Sequence, residues 1–202
     1  LDLDLGTYPY VTSSNPTIGG AFTGLGINHK WISGVAGIFK AYTTRVGAGP
    51  LPSELDIESA KEIRNIANEF GTTTGRPRRI GWFDAVAGRY TYEINGYNSA
   101  ILTRLDILDE LKSLKICKSY KYGSEVLEDF PLDLSVLEKC EPIYEEVEGW
   151  SQSTYGITEY DDLPDNAKLY VSKIEEFIDC NIDIISTGPH RKNTIKRKPL
   201  IL

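Results

Sequence analysis

Two stretches of the chain repeat their apolar residues at helical spacing. Between Leu55 and Gly71, the residues Ile57, Ala60, Ile63, Ile66, Ala67 and Phe70 recur three and four positions apart. That pattern predicts an amphipathic helix with Gly71 as its C-cap. Ala167, Tyr170, Val171, Ile174, Phe177 and Ile178 mark a second helix. It leads into a short apolar strand, Ile182–Ile185, and a polar turn that starts Ser186, Thr187, Gly188. Leu1, Leu3 and Leu5 alternate with Asp2 and Asp4, as a half-buried strand would. Val11–Asn28 is too rich in Gly, Ser, Thr and Asn for a core element. It reads as a plain surface loop or as backbone packed close around a ligand.

Trp31–Gly47 reads as an apolar element, strand-like towards its end, and Gly47–Pro52 as a turn. Ile80–Gly96 starts apolar and continues as a helix or a strand, which periodicity does not decide. Ser99–Tyr122 predicts strand, short helix, strand, and Tyr144–Pro164 a loop anchored by Trp150 and Tyr155. Helix, strand and polar loop in succession give an α/β fold, part of a mixed, mainly parallel sheet flanked by helices. No linker, repeat or low-complexity run divides residues 1–202, so one domain is expected.

Composition narrows the function classes. The net charge is −7 over 202 residues, which argues against a nucleic-acid binder needing spare cations for phosphates. No apolar run reaches the roughly 20 residues of a membrane helix. The three cysteines, Cys117, Cys140 and Cys180, show no CxxC spacing and read as reduced thiols of a cytoplasmic protein. His29 and His190 are isolated, with no metal or triad pattern. The chain contains no methionine, even at position 1, and opens directly on patterned residues. It is therefore expected to be a piece of a longer protein.

Three polar loops carry candidate chemistry. "GTTTGRPRR", Gly71–Arg79, sets three arginines among threonine hydroxyls, with no acidic residue between Glu69 and Asp84. A guanidinium fork matches carboxylates and phosphates, so the loop is either an anion cage or a set of ion pairs with the protein's own acidic surface. "TRLD", Thr103–Asp106, ends a predicted strand with a carboxylate able to accept two hydrogen bonds from a guanine edge. It resembles the Asn-Lys-x-Asp signature of GTP-binding proteins, with two changes. The turn Ser186–Gly188 follows another strand, where α/β sheets collect ligands.

The blocks "GTYPYVTSSN", "KAYTTRVGAGP", "NEFGTTTGRPRRIGW", "LTRLDILDEL", "EPIYEEVEGWSQST" and "DIISTGP" occur in this order, from Leu1 to about Arg191. Together they resemble the C-terminal half of the adenylosuccinate synthetase family. The resemblance implies ligation of IMP and L-aspartate with GTP and Mg2+, giving adenylosuccinate, GDP and phosphate, by a cytoplasmic homodimer. It implies that Thr12 contacts the IMP phosphate and that Val46 lines the IMP ribose. Thr72, Thr73, Thr74, Gly75, Arg76, Pro77 and Arg78 correspond to the aspartate loop. Arg76 is shared with IMP, and Arg78 lies near the GTP phosphates. Arg104, Leu105 and Asp106, with Ser186, Thr187 and Gly188, correspond to the guanine-binding segments.

Two positions depart from the family pattern: Arg104 stands where it has Lys, and Leu5 where it has an aromatic or His. The family's phosphate loop, catalytic Asp (also a magnesium ligand) and catalytic His belong to its N-terminal half. No catalytic residue and no metal ligand is therefore expected here, and this chain alone should not turn over. The alternative is a non-catalytic nucleotide-binding or interaction fragment. An RNA-binding module fits poorly with the acidic charge.

Overall fold

The computed structural model describes residues 1–73 and 75–199. Its elements are α1 (Ile18–Leu25), β1 (Ala36–Lys40), β2 (Thr43–Arg45), α2 (Ile57–Ala67), β3 (Arg79–Gly81), β4 (Phe83–Asp84), α3 (Ala85–Asn95) and β5 (Ser99–Thr103). They continue as β6 (Ser113–Tyr122), β7 (Glu125–Leu127), α4 (Leu134–Leu137), β8 (Glu141–Glu148), α5 (Asp165–Ile178), β9 (Ile182–Ser186) and β10 (Thr194–Lys196). Single turns of 3₁₀ helix occupy His29–Trp31, Leu105–Leu108 and Tyr160–Asp162.

The main sheet has the order β1-β5-β9-β10. β1, β5 and β9 run parallel, with Lys40 beside Thr103 and Leu102 beside Ile185, and β10 returns antiparallel. The chain therefore leaves β1, β5 and β9 at one carboxyl edge, which is where ligands bind in open parallel sheets. β2 and β3 pair separately. A third sheet joins β4 parallel to β6, and β6 antiparallel to both β7 and β8.

The predicted face of α5 packs inward: Ala167, Tyr170, Val171, Ile174 and Ile178 are buried. They meet Leu102, Ile182 and Ile185 of the main sheet in one apolar core, which also takes in Ala60, Ile63 and Ala67 of α2. Burial of this kind contributes roughly 1.5–3 kcal/mol per large aliphatic side chain. A satellite cluster of Val86, Cys117, Tyr120 and Leu137 lies under the third sheet.

Five expectations change. Residues 1–5 form no strand; the buried Asp2 accepts from the backbone N–H of Asp4 and Leu5 and bends the chain into turns. Val11–Asn28 is not all loop, because α1 forms within it, with Gly26 as left-handed C-cap and its Ile18 N–H donated to Asn95 Oδ1. The cap of α2 is Asn68 at φ 52°, not Gly71, since Asn enters the left-handed region more readily than other side chains do. Ile57 and Ile66, assigned to the buried face, stay exposed. Tyr144–Glu148 belongs to β8, held by register with β6 rather than by a local signal. Ile80–Gly96 resolves into β3, β4 and α3, and the three cysteines are free thiols.

Candidate functional site

At the carboxyl edge of the main sheet one buried carboxylate gathers three cations. Glu69 has no exposed surface and follows directly on the cap of α2. Its Oε1 accepts from Lys40 Nζ at 2.8 Å and from the Tyr42 hydroxyl at 2.7 Å. Its Oε2 accepts from the Arg78 guanidinium at 2.5 Å, and Arg104 Nε stands 3.8 Å from Oε1. Burial pushes the Glu69 carboxyl up, but the three donated hydrogen bonds outweigh it and leave Glu69 below the ordinary glutamate value. Burial likewise lowers Lys40 and, with the bond to Glu69, raises Tyr42. Three cations on one anion leave a local surplus of positive charge facing the sheet edge.

The threonine and arginine loop springs from this cluster. Phe70 and Pro77 form an isolated antiparallel bridge, and the Arg78 N–H donates to the Glu69 carbonyl at 3.0 Å. Gly75 turns the tip at φ +64°, a conformation L side chains rarely adopt. Its N–H reaches the Gly71 carbonyl, and Gly71 in turn donates to the Arg76 carbonyl. Thr72, Thr73, Gly75, Arg76 and Pro77 are all exposed on this hairpin-like projection, while Arg78 is partly buried at its base. Thr74 lies outside the described residues. Arg79 points elsewhere: its guanidinium forks onto Glu54 at 2.7 and 2.5 Å and bonds the Gly49 carbonyl at 2.6 Å. Arg79 and Arg78 make ion pairs with Glu54 and Glu69, and Arg76 is exposed near the tip.

The loop after β5 is built on strain. Arg104 sits in the left-handed region at φ 63°, unusual for a side chain of this size. Its guanidinium donates to the Ala67 carbonyl at 2.7 Å, which occupies an open carbonyl at the end of α2. Leu105 is fully buried and pins the following turn. Asp106 borders a cleft of about 300 Å³ that it shares with Ile66, Asp109, Ser153 and Tyr155. Burial raises its carboxyl above the ordinary aspartate value.

The Ser186–Gly188 turn reaches the same neighbourhood through Tyr155. The Thr187 hydroxyl donates to the Ile157 carbonyl at 2.8 Å, and the Thr187 carbonyl accepts from Gly156 N–H at 3.0 Å. A Cβ on Gly188 would lie 3.0 Å from the Tyr155 ring and 2.7 Å from Asn193 Nδ2, so any side chain there must displace the Asn193 amide. Asp106 and Gly188 therefore flank Tyr155, which is 55% exposed and is not the packing anchor that its sequence suggests. Trp150 is such an anchor, buried and donating its indole N–H to Asp109.

Thr12 and Val46 meet in another cleft, of about 430 Å³, with Thr44 and Arg45. The Arg45 guanidinium holds this cleft's wall by donating to the Thr7 hydroxyl and to the carbonyls of Tyr10, Ala48 and Pro50. Among the described residues no three His, Cys, Asp or Glu side chains converge on a point that could hold a metal ion. No helix among them is long and apolar enough to cross a membrane. The sequence reading passed over Lys40, Tyr42, Glu69 and Asp109. Glu69 had one signal, as the last acidic residue before a run of three arginines.

Known proteins resemble this arrangement over nearly its whole length. Residues 1–195 match the family described as Adenylosuccinate synthetase. The chain is 52% identical over 198 residues to adenylosuccinate synthetase of Coxiella burnetii (strain Dugway 5J108-111), covering 98% of this chain and 46% of that protein. It is 55% identical over 195 residues to the Brachyspira hyodysenteriae protein of the same name, covering 96% and 46%. A fully ligated adenylosuccinate synthetase from Plasmodium falciparum superposes with a TM-score of 0.94 at 43% identity, over 98% of this chain and 48% of that one. A cyanophage S-2L succinoaminodeoxyadenylate synthetase shares the fold alone, at 16% identity and a TM-score of 0.57. The chain thus spans about half the length of the relatives it matches. With the family match extending across all three polar loops, the chain belongs to the adenylosuccinate synthetase family.

Proposed function

We propose that the protein containing this chain joins IMP to L-aspartate at the expense of GTP, releasing adenylosuccinate, GDP and phosphate. In this proposal residues 1–202 are the C-terminal, substrate-recognising half of one domain. Family membership and the meeting of two polar loops with a cationic cluster at one sheet edge support it; the meeting is the observation that carries it. The loop 72–78 takes the aspartate carboxylates. Arg76 at the tip reaches both aspartate and IMP, and Arg78 at the base faces aspartate and the GTP phosphates. Thr12 and Val46, in their shared cleft, take the IMP phosphate and ribose.

Asp106 reads the guanine edge, with the stem of Arg104 and the backbone of Ser186–Gly188 closing around the base and the buried Leu105 fixing the turn that presents them. These groups orient substrates and neutralise charge in the displacement, which is electrostatic preorganisation rather than proton transfer. The proton-transferring residues and the ligands for Mg2+ are assigned to the other half of the protein. A cytoplasmic homodimer is part of the same proposal.

The test is phosphate release by the full-length protein, which should require IMP, aspartate and GTP together. Arg76→Leu should raise the aspartate KM at least tenfold and lower kcat. An aspartate response identical to the parent's would remove Arg76 from the site. Guanine-nucleotide binding without any turnover would instead mark a binding protein.

A further inference from the structure

The aspartate loop and the guanine loop, as assigned above, are separate in sequence and converge on one side chain. Glu69 Oε2 holds Arg78, at the exit of the first loop, and Oε1 faces Arg104, at the entrance of the second. Arg104 is tied a second time to the same place, through the Ala67 carbonyl two residues before Glu69. The carbonyl of Arg78 is likewise held by Arg64 Nε of α2 at 2.8 Å. The end of α2 therefore carries both loops, and neither arginine can shift without disturbing the other's partner. Arg79 shows the contrast, since its pair with Glu54 is independent of this cluster.

We infer that Glu69 is a positioning residue that couples aspartate recognition to guanine-nucleotide recognition, by holding Arg78 and Arg104 on one buried carboxylate. A ligand that fixes either arginine removes part of the freedom the other must lose on binding. The two affinities are then linked, and linkage between binding sites is reciprocal. The carboxylate also sets the charge: with Glu69 in place the cluster of Lys40, Arg78 and Arg104 attracts anions without flying apart. The inference rests on the proposed aspartate and guanine assignments.

The experiment uses the full-length protein and compares the parent with Glu69→Gln and Tyr42→Phe. Glu69→Gln keeps the side chain's shape and removes its charge. The aspartate KM and the GTP KM should both rise at least tenfold, and the factor by which saturating GTP tightens aspartate should fall to within twofold of unity. Tyr42→Phe, which removes one donor and leaves the charge, should move both constants upward by two- to fivefold; it serves if the Gln variant does not fold. Glu54→Gln, beside Arg79, should change neither by more than twofold. If only one constant moves in the variants, or neither does, Glu69 is structural and the coupling is wrong while the ligase reading stands. If the parent itself responds to neither aspartate nor GTP, the ligase reading falls and takes the inference with it.

Discussion

Asp109 and Thr154 are joined by two hydrogen bonds: the Thr154 hydroxyl donates to Oδ1 at 2.7 Å and its backbone N–H to Oδ2 at 2.8 Å. The Trp150 indole and the Ser153 hydroxyl donate to the same carboxylate. Four donors onto an acceptor-only group fix the segment that forms the far wall of the Asp106 cleft.

Asp109→Asn turns one of those acceptors into a donor facing donors. Removing partners from bonds to a charged group costs about 1.5–3 kcal/mol each, so a loss of roughly 2–4 kcal/mol in urea unfolding is expected. The GTP KM should rise in parallel as the wall loosens. An unchanged urea midpoint would mean that the loop is held by Trp150 packing alone.

Asp106→Asn separates recognition from folding, because Asp106 makes no side-chain hydrogen bond among the described residues other than to its own backbone. Stability should change by less than about 0.5 kcal/mol, as at other positions without structural partners. The preference for GTP over other purine triphosphates should shrink by ten- to a hundredfold, about 1.4–2.8 kcal/mol. Burial holds the Asp106 carboxyl above the ordinary range, so in the parent GTP recognition should weaken at a higher pH than a solvated aspartate would give. A pH titration of the GTP KM checks this, and the Asn variant should lack that limb.

The candidate site is suggested in the sequence where residue type alone carries the chemistry, and hidden where tertiary pairing does. Arginines among threonines pointed to anions, and the period of α5 predicted its buried face almost residue for residue. Nothing local distinguishes Arg78 from Arg79, yet one pairs with Glu69 and the other with Glu54, 25 residues away. β8 was missed because its residues alternate weakly and it gains its structure from ten-residue β6 beside it. The opening strand failed for the opposite reason: Asp2 satisfies backbone N–H groups locally and competes with any sheet ladder.

Gly188→Ala tests whether the Ser186–Gly188 turn and Asp106 act through Tyr155. The added methyl must displace the Tyr155 ring or Asn193, whose backbone also anchors Thr187 at 3.0 Å. Overpacking of this kind costs about 1–3 kcal/mol. Both the melting temperature and the affinity for GTP should fall. A normal GTP KM in a destabilised protein would detach this turn from the cleft.

Asp84 offers a stability test at a residue outside the proposed ligand contacts. Its carboxylate is buried at the start of α3, where Oδ1 accepts from Ala87 N–H at 3.1 Å and Oδ2 from the Tyr120 hydroxyl at 2.7 Å. Burial outweighs these bonds and holds the carboxyl above its ordinary value. Below the unfolded-state pKa both states carry the proton, and the position costs nothing. Above the raised folded-state pKa the folded protein must bury the charge, so stability from this position falls as pH rises through that value. Asn keeps the capping oxygen and carries no charge. Asp84→Asn should therefore melt at a higher temperature than the parent at pH 7–8, with the gap closing as pH falls towards about 4, the unfolded value. A parent that is the more stable at neutral pH would show that the Tyr120 and Ala87 bonds to the ionised carboxylate prevail over its desolvation.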